Sequence, residues 1–270
     1  MNPLIVRGIR ERLRFKNLLS SGLFSLILCS TLYLAAFLDG MQTILPAEVS
    51  PSGEKELISI PMNGAREAFT VLLILQGFYL MFLGTGRVAS VTAEEKETGL
   101  LDYQRMTPMS PPSKILGYLF GLPAREYFMF FLTLPFLLHC AVVGEIPLLN
   151  LLHLYAVFFS SVILYHLTAH VIGMVVSKPR AASWVARISV LGLYIFLPVL
   201  GQAGISFLSF LTIIPTYFGK ILPHLLAEGT EKLGRFEGQA VAFWQEVPFF
   251  TTTVSPTTFT FGMQGLLLLT

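Results

Sequence analysis

Two histidines in one apolar stretch are the residues whose spacing could hold a metal ion or a haem. His166 and His170 are four residues apart, so in a helix they share one face, as paired metal ligands do. The apolar stretches offer no carboxylate that could orient these histidines or act as a base. We therefore favour histidines that serve packing and predict no metal site, and we keep a membrane-embedded haem or metal enzyme as an alternative.

The second candidate for a functional site is the charged segment 92–122. Acidic residues crowd its beginning, and Gly99 permits a sharp change of chain direction. A short, half-apolar helix can follow over residues 100–107, where Pro108 ends it. A serine-proline pair, typical of helix starts, then opens a second helix over 110–122. Two short helices held close to a membrane favour a docking element for a cytoplasmic partner. An ordinary solvated loop is the alternative.

The beginning of this segment is open to two interpretations. Thr92 and Glu95 have the spacing of a capping box that would start a new helix. The preceding apolar helix could instead continue as far as Glu97. The sequence does not decide between these two arrangements.

The elements that must position these residues follow from the composition. Of 270 residues, 54% are hydrophobic and only 13% are charged, and the mean hydropathy is +0.69. A soluble domain is about a quarter charged, so this chain has too few charges to cover a water-facing surface. We expect it to lie in a lipid bilayer.

Charge-free stretches of the length that a spanning helix needs, about 20 residues, predict the fold class. It is an all-α polytopic transmembrane bundle, a single domain over residues 1–270, with five complete spans and a partial sixth. The stretches are 18–38, 68–86, 127–144, 146–177, 188–219 and 247–270.

The sixth stretch differs from the others. Residues 247–261 are rich in threonine and contain two prolines, a pattern that suits a loop or a re-entrant segment. A helix can begin only at Gly262, and the part from there to Thr270 is too short to cross a bilayer. We expect the chain to be the N-terminal part of a longer protein.

The orientation follows from the basic residues. Most of the 18 Lys and Arg residues fall before the first span and in the loops after the second and fourth spans. Because positively charged loops stay in the cytoplasm, we expect a cytoplasmic N-terminus. The segments 39–67 and 216–261 then face outward.

The N-terminal residues 3–17 have a helical pattern of their own. Ile5, Ile9 and Leu13 repeat every four residues among basic side chains, as in an amphipathic helix that lies in the membrane interface. A plain basic flank is the alternative. The functional candidates on this helix are Arg7, Arg10 and Arg14.

Several function classes are excluded or disfavoured. A net charge of +2 is too small to indicate a nucleic-acid partner. Gly84-Thr85-Gly86 lacks the lysine and hydroxyl residue of a phosphate-binding loop, so any ATP must bind to another chain. The spans contain no charged pair for ion or proton transport. The chain contains 23 Phe and 9 Tyr, and spans rich in aromatic residues suit an amphiphilic, lipid-linked or apolar substrate better.

The segment Glu-Glu-Lys-Glu-x-Gly-Leu-Leu-Asp, followed by Thr-Pro-Met-Ser-Pro, resembles the coupling helix of permease subunits of ABC-2 type ABC transporters. The resemblance extends to the layout of about five of that family's six spans, and residues 3–17 resemble its interface helix. Leu100 stands where the family often has threonine. The resemblance implies contact with an ATP-binding subunit at Glu94, Glu95, Lys96, Glu97, Gly99, Leu100, Asp102, Arg105 and Pro108.

The resemblance also implies the function and the partners. The chain would be the permease subunit of an ATP-driven exporter in a bacterial plasma membrane. It would not be an enzyme and would need no cofactor of its own, because ATP and magnesium bind to the partner subunit. A second permease subunit, identical or paired, would complete it. A membrane anchor without transport activity is a further alternative.

Overall fold

The protein is described by a computed structural model over residues 5–6, 10, 15–45, 56–106, 108–202, 207–226, 247–249 and 252–269. Within these ranges the longer helices are α1 (Phe15–Met41), α2 (Pro61–Gly77), α3 (Thr85–Glu97), α6 (Ala124–Val143), α7 (Leu148–Val175), α8 (Pro179–Gln202) and α11 (Pro256–Leu269). The short helices are α4 (Leu100–Arg105), α5 (Pro111–Leu116), α9 (Ile214–Thr216), α10 (Leu222–Leu225) and a 3-10 turn at Phe207–Leu211. Stretches of π-helix occupy Phe78–Gly84, Gly117–Gly121 and Tyr217–Ile221.

Among the described residues, four helices are long and apolar enough to cross a membrane, and they confirm four of the predicted spans. They comprise Lys16–Met41, Pro61–Glu97, Ala124–Val143 and Leu148–Val175. At about 1.5 Å per residue, each of them can reach across a hydrocarbon core of about 30 Å. The protein is therefore a mostly helical, membrane-embedded one.

The fifth predicted span differs from the structure. The sequence predicts one span over 188–219, whereas α8 begins at Pro179 and ends at Gln202. After residues that lie outside the description, the chain continues as the 3-10 turn at Phe207–Leu211 and then α9, in whose first turn Pro215 lies. Proline supplies no backbone N–H and fixes its own φ, so it suits the start of a new helical turn.

The sixth stretch is more helical than predicted. An antiparallel hairpin pairs Val247–Phe249 with Thr252–Val254, and α11 begins at Pro256 rather than at Gly262. The Ser255 hydroxyl accepts a hydrogen bond from the Thr258 backbone N–H at 3.3 Å, which caps the helix. Of the predicted outward segment 216–261, residues 227–246, 250 and 251 lie outside the described residues.

The structure adds a pair of strands to the predicted all-α bundle and describes part of the predicted N-terminal helix. A second antiparallel hairpin joins Gln42–Leu45 to Glu56–Ser59, so the all-α bundle carries short strands that the sequence analysis did not predict. The predicted interfacial helix 3–17 is described only at residues 5–6, 10 and 15–17, which are helical, and Arg10 is exposed. Arg7 and Arg14 lie outside the described residues.

The helix Pro61–Glu97, which consists of α2, the π segment Phe78–Gly84 and α3, is the centre of the bundle. Its α2 part packs against α1 and α6, and its α3 part packs against α7 and α8. Buried side chains line it from end to end, as Phe69, Tyr79 and Val88 illustrate. The C-terminal end of this helix carries the charged segment.

A buried amide joins three of the helices at the middle of the bundle. The side-chain nitrogen of Gln76 donates to the Thr133 hydroxyl on α6 at 2.8 Å, and Tyr155 on α7 donates to the Gln76 oxygen. Thr133 in turn donates to the Phe130 carbonyl at 2.7 Å. Since these groups satisfy one another, Gln76 has a structural role.

Replacing Thr133 with valine should lower the stability of the folded protein by about 1 kcal/mol, because interhelical hydrogen bonds in membrane proteins contribute about 0.6 to 1.7 kcal/mol. The measurement is unfolding in mixed micelles by a denaturing detergent. Thr168→Val is the control, since the Thr168 hydroxyl donates only to the Leu164 carbonyl of its own helix, at 2.9 Å. Equal losses for the two variants would contradict the role assigned to Gln76.

Candidate functional site

The helix Pro61–Glu97 continues to Glu97 and then reverses sharply, which decides between the two interpretations left open by the sequence. The Thr98 N–H donates to the Glu94 carbonyl at 3.0 Å and the Gly99 N–H to the Lys96 carbonyl at 3.2 Å. Gly99 has a φ of +73°, a conformation that glycine adopts without strain. The change of direction predicted at Gly99 is confirmed.

The chain then continues through α4 and α5 to α6. The helix predicted over 100–107 is described as Leu100–Arg105, and residue 107 lies outside the description. The second helix begins as predicted: Ser110 is extended with ψ 146°, and proline occupies the first turn of α5. The π segment Gly117–Gly121 and Pro123 lead into α6.

Glu95 points into the protein. It is 6% exposed, and the Tyr118 hydroxyl donates to its Oε2 at 2.6 Å. The Tyr118 ring also lies 4.4 Å, centroid to centroid, from the ring of His170 on α7. Glu95 thus links the end of α3 to the segment that leads back into α6, and its carboxyl group is turned away from the surface.

Lys96 and Thr92 attach the same end of α3 to α7. The Lys96 ammonium donates to the Met174 carbonyl at 2.6 Å, one of the carbonyls that the last turn of a helix leaves without an intrahelical donor. One turn earlier, the Thr92 hydroxyl lies 3.0 Å from Nδ1 of His170. The charged segment is therefore fastened to the ends of two membrane-spanning helices.

The solvent-exposed side of this segment is acidic and apolar. Glu94 and Glu97 are exposed at the end of α3, and Asp102 is exposed on α4. Beside them, Tyr103 is 64% exposed and Met106 is 78% exposed. We call these five residues the docking surface. Sequence analysis missed Tyr103 and Met106, although large apolar residues in a short charged helix are a signal for a contact.

The other candidate residues of the segment are distributed around this surface. Gly99 and Pro108 are exposed, and Leu100 is half-buried. Arg105 is the last residue of α4. Glu95 is buried and accepts from Tyr118, whereas Lys96 is exposed but donates to the Met174 carbonyl. Both are therefore engaged within the protein.

His166 and His170 bond to the helix Pro61–Glu97. His166 is fully buried, and its Nε2 lies 3.1 Å from the Leu80 carbonyl inside the π segment Phe78–Gly84. A π segment breaks the regular α-helical hydrogen-bond pattern, and the imidazole contacts the backbone there. Among the described residues, no three His, Cys, Asp or Glu side chains are grouped so that they could hold a metal.

An apolar cleft of about 460 Å³ lies between the helix Pro61–Glu97 and α8. Ile74, Phe78 and Met81 line one side, and Leu191 and Tyr194 line the other. Its volume falls in the range of small-molecule sites, about 300 to 1,000 Å³. The cleft suits an apolar or amphiphilic molecule.

No family model, curated protein or solved structure matches this chain.

Proposed function

We propose that this chain is the transmembrane permease subunit of an ATP-driven ABC transporter of the ABC-2 type, working as an exporter. In this proposal the N-terminus is cytoplasmic and the membrane is a bacterial plasma membrane. The observation that carries the proposal is an exposed acidic and apolar surface at the end of the helix Pro61–Glu97, which is hydrogen-bonded there to the end of α7. A cytoplasmic ATP-binding subunit would contact Glu94, Glu97 and Asp102 through basic side chains and Tyr103 and Met106 through apolar ones.

The contacts of the segment give a path for the coupling. A push on α4 would reach α3 through the short turn at Gly99 and through the hydrogen bond from Tyr118 to Glu95. The hydrogen bond from Lys96 to the Met174 carbonyl would transmit the movement of α3 to α7. α2 and α3 form one continuous helix of 37 residues, about 55 Å long. A tilt at its docking end would therefore also move its opposite end, on the other side of the bilayer.

The cleft that this helix lines supports the proposed class of substrate. The helix Pro61–Glu97 forms one wall of the apolar cleft, and α8 forms the other together with Ile213, Ile214 and Tyr217. A tilt of the helix would therefore change the cleft's width. The lining is almost entirely apolar, with Thr70 and Tyr217 as a hydrogen-bonded pair, 2.8 Å apart. An amphiphilic, lipid-linked or apolar substrate fits these walls.

The lack of a phosphate-binding motif in the sequence supports a proposed division of roles between two subunits. Hydrolysis of ATP, with its magnesium ion, would take place on the partner subunit, and this chain would be no enzyme. Two permease subunits, either identical or paired, would form the complete transporter, since closed two-fold arrangements are the commonest among oligomers.

The test is charge reversal at the two exposed acids of α3. We expect the wild-type chain, purified from its native host in mild detergent, to retain a stoichiometric subunit with an ATP-binding cassette. The double variant Glu94→Lys/Glu97→Lys should retain about tenfold less of it, a loss of about 1.4 kcal/mol in binding free energy. The measurement is the ratio of the two subunits by mass spectrometry.

The control for this test is Glu145→Lys, which reverses an exposed acid in the loop between α6 and α7 and should leave the ratio unchanged. A wild-type preparation without an ATP-binding cassette subunit, or equal retention by the double variant, would overturn the proposal. If the subunit binds but substrate never stimulates its ATPase, the chain is a membrane anchor instead.

A further inference from the structure

A second cavity, separate from the docking surface, is lined by three arginines. Arg87 on α3, Arg125 in the first turn of α6 and Arg187 on α8 surround a space of about 370 Å³. These arginines come from three helices that are distant in sequence, so the fold brings their charges together. We call this space the basic cavity. Its remaining lining is Asn17, Phe24, Leu83, Glu126 and Met129.

Arg187 is held in place by its neighbours. A Cβ atom added at Gly86 would lie 2.9 Å from Cγ of Arg187 and would overlap its Nε, so the arginine lies directly on the glycine. Its guanidinium carbon is 5.6 Å from the ring centroid of Phe82 and 6.0 Å from that of Trp184, within cation–π range. In the part of the chain that the structure describes, its buried Nε has no hydrogen-bond acceptor.

The position of the basic cavity indicates where a ligand would come from. Asn17 and Arg125 lie in the first turns of α1 and α6, so the cavity is at the bundle end from which these spans begin. Phe24 in its wall is 59% exposed, and Trp184 beside Arg187 is equally exposed. Exposed tryptophan is typical of the level of lipid head groups. The cavity therefore opens where lipid phosphates lie.

The chemistry of the lining selects an anion with an apolar body. Three guanidinium groups against the single carboxyl of Glu126 leave an excess of positive charge, and guanidinium forks bind phosphate through paired hydrogen bonds. Phe24, Leu83 and Met129 in the same walls would contact hydrocarbon. The apolar cleft adjoins this cavity at the pair of Phe82 and Arg187, which gives an acyl chain an apolar surface to follow.

We propose that the basic cavity binds the phosphate head group of an anionic phospholipid from the adjacent leaflet. Basic pockets between membrane helices are suited to such head groups. The proposal does not depend on transport activity or on an ATP-binding partner. It concerns a different set of residues from the docking surface.

The test compares phosphatidylglycerol with phosphatidylcholine on the purified full chain in neutral detergent. Bound lipid is counted by native mass spectrometry during a titration, and the thermal unfolding midpoint is followed in parallel. We expect phosphatidylglycerol to bind at least about tenfold more tightly than phosphatidylcholine and to raise the midpoint. The double variant Arg87→Gln/Arg187→Gln should lose about tenfold of that affinity, and Arg187→Lys should lose less because the charge remains.

The control is Arg180→Gln, which removes an exposed arginine two turns earlier on the same helix and should leave the affinity unchanged. Equal affinity of the wild type and the double variant, or an equal loss in Arg180→Gln, would overturn the proposal in favour of general attraction to basic loops. Inorganic phosphate in millimolar amounts should not displace the lipid. Displacement by phosphate would assign the cavity to a soluble anion and would also overturn the proposal.

Discussion

Replacing Gly173 with valine should lower the stability of the folded protein by about 3 kcal/mol, the upper part of the usual range for overpacking. A Cβ atom at this position would lie 2.6 Å from the Ala89 carbonyl oxygen and 2.7 Å from Cβ of Thr92. Neither atom belongs to the flexible end of a side chain, so α3 and α7 would have to move apart. Small residues that allow close approach are a principal source of helix association in membranes.

The separation of α3 from α7 would also break the bonds that hold the charged segment. Met174, whose carbonyl accepts from Lys96 at 2.6 Å, is the next residue after Gly173. Unfolding by a denaturing detergent measures the loss of stability. Gly192→Ala is the control, because a Cβ there meets only the Phe196 ring, at 3.7 Å. A Gly173→Val variant as stable as this control would show that α3 and α7 do not meet as described.

Hydropathy predicted the four confirmed spans because a continuous apolar stretch of this length has few other stable environments. It could not predict the π segment Phe78–Gly84, whose residues have the composition of an ordinary spanning helix. The contact that accompanies that segment comes from His166, far along the chain, whose Nε2 lies 3.1 Å from the Leu80 carbonyl. A long-range contact of this kind has no signal in the local sequence.

The inward position of Glu95 was, by contrast, within reach of sequence reasoning. If the helix continues to Glu97, then Val88, Thr92 and Glu95 recur at helical spacing and share one face. All three are buried. Residues 94–97 are all charged, so composition alone treats them as one group. Helical periodicity separates the exposed Glu94 and Glu97 from the buried Glu95. Its partner Tyr118 could not have been predicted, since that pairing depends on the return path of the chain.

The start of α11 was also signalled in the sequence. Ser255 followed by Pro256 is the same cap-and-proline pair that correctly predicted α5 at Ser110 and Pro111. The threonines that surround it suggested a loop instead. In the structure the Thr260 hydroxyl donates to the Pro256 carbonyl at 2.9 Å, within its own helix, so threonine is accommodated there.

Replacing Tyr118 with phenylalanine should lower stability by about 2 kcal/mol, because a buried carboxyl group then loses a hydrogen-bond donor. The hydroxyl donates to Oε2 of Glu95 at 2.6 Å, and this bond joins α3 to the segment that leads into α6. Tyr103→Phe is the matched control: the ring of Tyr103 is 64% exposed, so its hydroxyl can bond to water in the folded and unfolded states alike. That change should stay within about 0.5 kcal/mol.

A double-mutant cycle separates the hydrogen bond from other effects of the Tyr118 substitution. If Glu95 and Tyr118 interact directly, the variant Glu95→Ala/Tyr118→Phe should lose less stability than the two single variants lose together, because alanine leaves no acceptor for the Tyr118 hydroxyl. Additive losses would contradict the direct contact.

In the proposed transporter, the Tyr118→Phe variant should still bind the ATP-binding subunit, because the docking surface is unchanged. Substrate should, however, stimulate the ATPase of that subunit less. The Glu94→Lys/Glu97→Lys variant should instead lose the binding itself, so the two substitutions distinguish attachment of the partner from transmission of its movement.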